Sequence, residues 1–200
     1  MGLEEDFIKF GRELFIRGLI ASHSGNLSVK RGNEILITRR GSMLGNLTKE
    51  DIVSAPLMAD GVKAASRELV VHRVIYLATS ALACVHAHPP YAIALSLIEK
   101  EIIPIDEEGA FYLPKVPILA VENSIGSEIV ANQLAGLFNG SKIAMIKGHG
   151  SFAIGETLEE AYLKTSSLEH SAQIVHLVKT VSPGLYHQRI LRMKNKPLKG

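Results

Sequence analysis

The sequence predicts a single α/β domain in which a central mixed or antiparallel sheet is flanked by layers of helices. Three observations predict this fold. A chain of 200 residues has the length of one domain. Short strand-like and helix-like segments alternate irregularly along it, and no internal repeat or linker interrupts them. We expect the domain to span residues 1–180 and a basic, solvated C-terminal tail to span residues 181–200, where the excess basic residues are Arg189, Arg192, Lys194, Lys196 and Lys199.

The composition argues against several classes of protein. A net charge of +2 is too small to indicate a nucleic-acid partner. The only cysteine, Cys84, permits no intrachain disulfide and favours a reducing compartment. No apolar run approaches the roughly 18 residues of a membrane span, and the acidic start of the chain is unlike a secretory signal. We therefore expect a cytoplasmic protein that binds neither nucleic acid nor a membrane.

The first quarter of the chain predicts a helix followed by a β-hairpin. Apolar residues recur at helical spacing over residues 7–20. Two strand-like segments follow over residues 27–30 and 34–38, separated by a short polar turn. Further on, Thr48 can form a capping box with Asp51, which predicts a short helical turn.

The rest of the chain predicts further helices and strands by the same periodicities. The predicted strands span residues 83–88, 116–121, 142–146 and 151–154. The predicted helices span residues 68–79, 91–96, 127–138 and 158–179. A capping box of Thr157 and Glu160 begins the last helix, and Pro183 with Gly184 marks the break after it.

Three histidines form a candidate metal site. His86 and His88 are two residues apart on a predicted strand, so both imidazoles lie on one face of the sheet. His149 lies in a turn between Gly148 and Gly150, which let the backbone bend sharply. Imidazole suits Zn²⁺, and three protein ligands with an open position are typical of catalytic zinc. An isolated His-x-His pair can simply end a strand, but the third histidine favours the metal site.

A carboxylate and three polar loops add candidate functional groups. Glu68 begins a predicted helix, where it can serve as a metal partner or merely offset the helix dipole. The loops 24–26, 38–42 and 66–67 carry hydroxyls, amides and guanidinium groups, which together suit a phosphate dianion. Taken singly, each loop is more typical of an ordinary turn.

The remaining histidines and the cysteine have simpler interpretations. Cys84 alternates onto the same strand face as His86 and could be a soft ligand, but a small buried hydrophobe is favoured. His72, His170 and His176 lie in helical patterns and are interpreted as packing or surface residues.

The order and spacing of five motifs resemble the class II aldolase/adducin family, over about residues 7–179. The motifs are Ser24-Gly-Asn-Leu-Ser28, Ile37-Thr-Arg-Arg-Gly41, Ser66-Arg-Glu68, Val85-His-Ala-His-Pro89 and Lys147-Gly-His-Gly150. The His-x-His strand with the downstream His-Gly is the specific part of the resemblance.

This resemblance implies a zinc site and a phosphate site. His86, His88 and His149 would hold Zn²⁺, with Glu68 as the fourth ligand at rest and the acid/base once substrate displaces it. The family's phosphate site corresponds to Gly25, Asn26, Arg40, Gly41, Ser66 and Arg67. The resemblance also implies a homotetramer with active sites between subunits.

The implied reaction is the reversible cleavage of a ketose 1-phosphate, a small phosphorylated sugar, to dihydroxyacetone phosphate and an aldehyde. Related scaffolds are 4-epimerases, methylthioribulose-phosphate dehydratases, decarboxylases and non-catalytic adducin-like heads. Epimerases usually carry Asp where Glu68 stands, which favours the aldolase over an epimerase. The three histidines together with Glu68 argue against a scaffold.

The chain departs from the family pattern at two places. Arg67 stands where the aldolases carry a second serine, so the phosphate contacts can differ. The family also supplies a tyrosine from a neighbouring subunit, and no tyrosine aligns without a shift in the segment 105–112. Tyr112, Glu107 and Glu108 are the candidates for this second acid/base.

Overall fold

The computed structural model describes residues 2–59, 62–122 and 125–195. Over these residues it has eight strands, which form one sheet. The strands are β1 (Asn26–Arg31), β2 (Glu34–Thr38), β3 (Ile52–Pro56), β4 (Ala83–Ala87), β5 (Glu101–Ile102), β6 (Val116–Leu119), β7 (Ile143–Ile146) and β8 (Gly150–Gly155). Their spatial order is β3-β2-β1-β4-β8-β7-β6-β5. Among these described strands only β6 and β7 pair in parallel, so the predicted mixed sheet is confirmed.

Seven α-helices cover this sheet within the described ranges. They are α1 (Leu3–Ile16), α2 (Leu69–Ala78), α3 (Pro90–Ile98), α4 (Glu107–Tyr112), α5 (Glu128–Leu137), α6 (Leu158–Val181) and α7 (Pro183–Lys194). Among the described residues, no helix combines the length and the apolar character that crossing a bilayer requires.

The core lies on both faces of the sheet, as the side-chain alternation of β4 illustrates. Ala83, Val85 and Ala87 point to a cluster that includes α1, α3 and α6. Cys84 points to the opposite face, where α2 and α5 supply the buried residues. Because successive side chains of a strand alternate between faces, one fully buried strand serves both layers. The predicted flanking by helix layers is therefore confirmed.

Three short elements escaped the sequence prediction. The sequence predicts the short helical turn that precedes β3 but not β3 itself, β5 has only two residues, and α4 has six. β3 is an edge strand whose burial does not alternate, so it lacks the period that identifies a strand. α4 begins at a cap in which the Asp106 carboxylate accepts a hydrogen bond from the Gly109 backbone nitrogen at 2.6 Å.

The prediction of a solvated C-terminal end was wrong for the described part of that segment. Pro183 begins a new helix, α7, whose Tyr186 and Met193 are only 9% and 8% exposed. The Arg189 guanidinium donates to the carbonyl oxygen of Ile105. Burial of these side chains holds the helix against the domain. Lys196 and Lys199 lie outside the described residues, and the boundary at residue 180 stays a prediction.

Candidate metal and phosphate site

The predicted site residues lie at the ends of neighbouring inner strands, on one side of the sheet. β1 begins at Asn26, next to the end of β4, because Asn26 and His86 are directly opposite in the antiparallel register. β8 begins at Gly150, and its Ser151 lies opposite Ala87. Opposed residues of an antiparallel pair project from the same face. The sheet therefore brings the first polar loop and the histidine strand together.

His86 is fixed in one tautomer by its backbone partner. Its Nδ1 lies 2.9 Å from the carbonyl oxygen of Ser151. A carbonyl oxygen can only accept, so Nδ1 carries the proton and Nε2 keeps a lone pair. The buried ring also stacks on Phe152, with 4.2 Å between centroids. Such outer contacts orient metal-ligating imidazoles in proteins.

His88 presents its ring to the same point as His86. The two Nε2 atoms are 3.0 Å apart, and the His88 backbone nitrogen donates to the Leu19 carbonyl oxygen at 2.8 Å. Burial, with smaller contributions from His88 and His149, lowers the pKa of His86 well below its usual value. Burial and the neighbouring His149 lower the pKa of His88 to about 4. Both rings are thus neutral at pH 7, which is the form that binds metal.

The glycine turn brings the third imidazole to this pair. Gly148 adopts a φ of +68°, and its backbone nitrogen donates to the buried Ser96 hydroxyl at 2.9 Å. A Cβ at Gly150 would lie 2.7 Å from His88 Cδ2, so only glycine permits the close approach of β8. The His149 ring lies 5.0 Å from the His86 ring and 5.1 Å from the His88 ring.

The three imidazoles fit a single metal ion. One ligand nitrogen from each of His86, His88 and His149 lies within 4.8 Å of the other two. Zinc binds imidazole at about 2 Å, so a small movement of these rings brings all three nitrogens to one ion. The burial, the neutral rings and the fixed His86 tautomer all favour metal binding.

Glu68 is a buried carboxylate, and one of its two oxygens has no hydrogen-bond partner among the described residues. It immediately precedes α2 and is only 4% exposed. Oε1 accepts from the Gly126 backbone nitrogen at 3.1 Å, whereas the buried Oε2 has no hydrogen-bond partner in the described part of the chain. Burial raises the pKa of Glu68 to about 7, against the opposing effect of the Gly126 hydrogen bond. Its oxygens are not within the 4.8 Å cluster of the imidazoles, so fourth-ligand status stays a prediction.

The predicted phosphate loops are tied to one another by hydrogen bonds. The Arg40 backbone nitrogen donates to the Ala64 carbonyl at 2.8 Å, and the Ser66 nitrogen donates to the Thr38 carbonyl at 3.2 Å. The Thr38 hydroxyl in turn accepts from the Leu27 nitrogen at 3.3 Å, one residue beyond Asn26. These bonds bring together the loops that contain Gly25, Asn26, Arg40, Gly41, Ser66 and Arg67.

Arg40 and Arg67 are exposed residues at these loops. Neither forms an ion pair within the residues that the structure describes. Arg39 differs, because its guanidinium donates twice to the Glu50 carbonyl oxygen, at 2.9 and 3.1 Å. Gly25 and Gly41 both adopt positive φ, which glycine permits and which the sharp turns of the loops require.

Two residues that support the site carry little signal in the sequence. His72, predicted as a packing or surface residue, instead hydrogen bonds through its ring to Asn26 at 2.5 Å. The Ser96 hydroxyl, which no motif marks, accepts from the Gly148 nitrogen of the turn. The only sequence signal for His72 is its position four residues after Glu68, on the same helix face. Cys84 is fully buried, and burial raises the pKa of its thiol.

The candidates for a second acid/base lie on α4. Glu107 forms ion pairs with Arg189 at 3.9 Å and Arg192 at 3.7 Å. The Lys164 ammonium lies 5.3 Å from the centre of the Tyr112 ring. Glu108 follows Glu107 in the first turn. The choice among Glu107, Glu108 and Tyr112 stays a prediction.

An α/β fold that brings three imidazoles together at the ends of neighbouring strands, with a buried carboxylate just before α2, is the framework of a metal-dependent enzyme. The family described as "Class II Aldolase and Adducin N-terminal domain" matches residues 5–176. The chain belongs to this family, and the predicted class of metal-dependent aldehyde-lyase is confirmed with it.

Several named proteins of similar sequence or structure are consistent with this family assignment. The L-fuculose phosphate aldolase of Methanococcus maripaludis is 34% identical over 86% of this chain and 96% of its own length. That of Methanocaldococcus jannaschii is 32% identical over 87% of this chain and 96% of its own length. The crystal structure of l-fuculose-1-phosphate aldolase from Thermus thermophilus is 38% identical, with a TM-score of 0.85 over 98% of both chains.

Proposed function

We propose that the protein is a zinc-dependent aldolase that reversibly cleaves a ketose 1-phosphate similar to L-fuculose 1-phosphate. The products are dihydroxyacetone phosphate and an aldehyde. The observation that carries the proposal is the pairing of a three-imidazole cluster with a buried carboxylate whose pKa is about 7. The names of the similar proteins, L-fuculose phosphate aldolases, support the substrate class.

His86, His88 and His149 would hold the zinc ion, with Glu68 as a fourth ligand at rest. Cleavage of the C3–C4 bond leaves negative charge on the dihydroxyacetone phosphate portion as an enediolate. When bound, zinc supplies a Lewis acid that stabilises this charge on oxygen. The Ser151 carbonyl keeps the His86 proton on Nδ1, which leaves Nε2 available for the ion.

Glu68 would carry the proton at the reacting carbon. In the synthetic direction its carboxylate removes a proton from the hydroxymethyl carbon of dihydroxyacetone phosphate, and in cleavage it returns that proton. A general base works best when its pKa lies near the operating pH, and burial raises the pKa of Glu68 to about 7. Its Oε2, which has no hydrogen-bond partner among the residues that the structure describes, is the oxygen available to accept that proton.

The polar loops would bind the phosphate and orient the ketose. Gly25 and Gly41 allow backbone amides to approach the dianion, and Asn26 and Ser66 supply side-chain donors. The exposed Arg40 and Arg67 add positive charge. Orientation by the phosphate lowers the barrier without any chemical step at the loops.

The protein would act as a cytoplasmic homotetramer with active sites between subunits. Under this arrangement, Tyr112, Glu107 or Glu108 of a neighbouring copy would remove the proton of the C4 hydroxyl in cleavage and return it to the aldehyde oxygen in the synthetic direction. The exposed Phe111 next to Tyr112, 69% accessible in the single chain, favours burial of this part of α4 against another copy.

The decisive experiment is a cleavage screen of phosphorylated ketoses, with release of dihydroxyacetone phosphate as the readout. We expect cleavage that stops on chelation and returns with Zn²⁺. Glu68→Gln should lower the rate about 10²- to 10⁴-fold while zinc stays bound. His170→Ala, at an exposed histidine outside the site, is the matched control. Epimerised ketose, dehydrated product or carbon dioxide without dihydroxyacetone phosphate would assign another reaction of the family. Absence of stoichiometric zinc would instead indicate an adducin-like scaffold.

A further inference from the structure

The pairing of β4 with β8 fixes one of the three imidazoles more firmly than the other two. His86 lies inside the paired register of these strands, which ends at Ala87 and Ser151. His88 lies one residue beyond that end, and His149 lies in the turn that joins β7 to β8. The spacing of His88 and His149 therefore depends on contacts outside this pairing.

The chain that leaves His88 enters α3 through two prolines. Pro89 precedes the helix with a φ of −66° and a ψ of 117°, and Pro90 is its first residue. A proline ring fixes φ at about −65°, so these two residues form a stiff connection. Pro90 also has no N–H to leave unpaired at the first helical position. The position of α3 therefore bears directly on the position of His88.

Glu169 of α6 binds the N-terminus of α3. Its Oε1 accepts from the Tyr91 backbone nitrogen and its Oε2 from the Ala92 backbone nitrogen, both at 2.9 Å. The next nitrogen, that of Ile93, already donates within the helix to the Pro89 carbonyl oxygen. One carboxylate thus satisfies both donors that this helix end leaves open, at the place where the helix dipole favours a negative charge.

Ser96 ties the other end of α3 to the histidine turn. Its hydroxyl donates to the Ile93 carbonyl oxygen at 2.7 Å and accepts from the Gly148 backbone nitrogen at 2.9 Å. The side chain is fully buried, and the two bonds fix the direction of its hydroxyl. The first turn of α3 consequently adjoins His88, while its last turn holds the residue before His149.

We propose that Glu169 and Ser96 are positioning residues that use α3 as a brace to fix the spacing of His88 and His149 for one metal ion. The inference rests on the proposed function, because it concerns the proposed zinc site. Glu169 holds the helix where it adjoins His88, and Ser96 passes the position of the helix on to the turn of His149. The brace orders the ligands before the ion arrives, which lowers the cost of binding it.

Ser96→Ala removes the tie between α3 and the turn. Gly148 is an exposed residue, so water can replace the lost hydroxyl and the variant should fold. The Kd for Zn²⁺ should rise about 10- to 100-fold, as for other groups that orient metal ligands. The visible absorption of bound Co²⁺ should change as well, because it reports the geometry of the ion.

Ser141→Ala is the matched control for this variant. The Ser141 hydroxyl accepts from the Ile143 backbone nitrogen at 3.3 Å and donates to the Ile143 carbonyl oxygen at 2.6 Å. It makes these bonds at the end of β7 opposite to the histidine turn. The control therefore removes the same kind of hydroxyl, and both metal readouts should stay unchanged.

Glu169→Gln tests the other end of the brace. The amide keeps the shape of the carboxylate but offers only one oxygen to the two backbone nitrogens of α3. The Kd for Zn²⁺ should rise here too. In the metal-free protein, hydrogen exchange of the Gly148 amide should become faster, although the hydrogen bonds of Glu169 end at the first turn of α3. A purely local role of Glu169 would not affect that amide. Glu160→Gln, on the same helix, is the matched control, because its carboxylate accepts from the Glu156 nitrogen outside the site.

Two results would overturn the brace: metal affinities that are unchanged in both Ser96→Ala and Glu169→Gln, or equal losses of affinity in these variants and in their controls. Failure of the proposed function looks different. In that case the wild type itself holds no stoichiometric zinc or cleaves no ketose phosphate, whereas exchange of the Gly148 amide still reports whether α3 holds the turn.

Discussion

Glu68 should make the metal-free protein lose stability as the pH rises. The usual pKa of a glutamate carboxyl is 4.5, and burial raises the pKa of Glu68 to about 7 in the folded chain. A carboxyl whose pKa is raised by folding binds more protons in the folded state than in the unfolded state between these two values. Its ionisation therefore costs nothing below pH 4.5, and the cost grows through the window up to pH 7.

The magnitude follows from the shift of the pKa. One pH unit corresponds to about 1.4 kcal/mol, so the 2.5 units between 4.5 and 7 correspond to about 3 kcal/mol. Glu68→Gln removes this cost, and its amide oxygen can still accept from the Gly126 nitrogen. The free energy of unfolding of Glu68→Gln, minus that of the wild type, should rise by about 3 kcal/mol between pH 4.5 and pH 8.

Urea unfolding of the metal-free proteins, followed by circular dichroism at several pH values, measures this difference. The lowered pKa values of His86 and His88 act in the opposite sense, because stability is lost as the pH falls below 6.5. They are common to both proteins and cancel in the difference. Glu159→Gln, at an exposed carboxylate, is the control. A difference that stays constant within about 0.5 kcal/mol would refute the raised pKa, and with it the argument that Glu68 is tuned as a base near neutral pH.

Three further predictions concern the metal, the phosphate and the glycine turn. His86→Ala, His88→Ala and His149→Ala should each lose zinc, measured by elemental analysis, and a zinc-free variant with full activity would contradict the assignment. Asn26→Ala and Ser66→Ala should raise the KM for phosphorylated ketose while zinc remains bound; equal turnover of unphosphorylated ketose by the wild type would exclude a dedicated phosphate site. Gly150→Ala should weaken zinc binding and cost about 1–3 kcal/mol of stability, because its Cβ would lie 2.7 Å from the His88 ring. Gly136→Ala, where a Cβ meets open space, is the control, and equal zinc affinities in the two variants would refute the steric argument.

The sequence predicted best those elements that carry a strong local period. The hairpin of β1 and β2, the buried strand β4 and the long helix α6 each follow the alternation or the helical spacing of their apolar residues. The two-residue β5 and the six-residue α4 are too short to show any period. α7 was missed because its many basic residues mask the two side chains, Tyr186 and Met193, that bury it.

The sequence by itself determined the candidate metal ligands. A His-x-His pair on a strand must share a face, and a histidine between glycines can enter a tight turn, so local geometry was sufficient for His86, His88 and His149. Tertiary structure alone decided the chemical state of the site. Burial raises the pKa of Glu68, and its Oε1 accepts a hydrogen bond from the Gly126 backbone nitrogen, which is 58 residues away and opposes that rise. The orientation of Asn26 comes from His72, 46 residues away. Desolvation and hydrogen-bond direction depend on neighbours in space, and no local pattern of the chain records them.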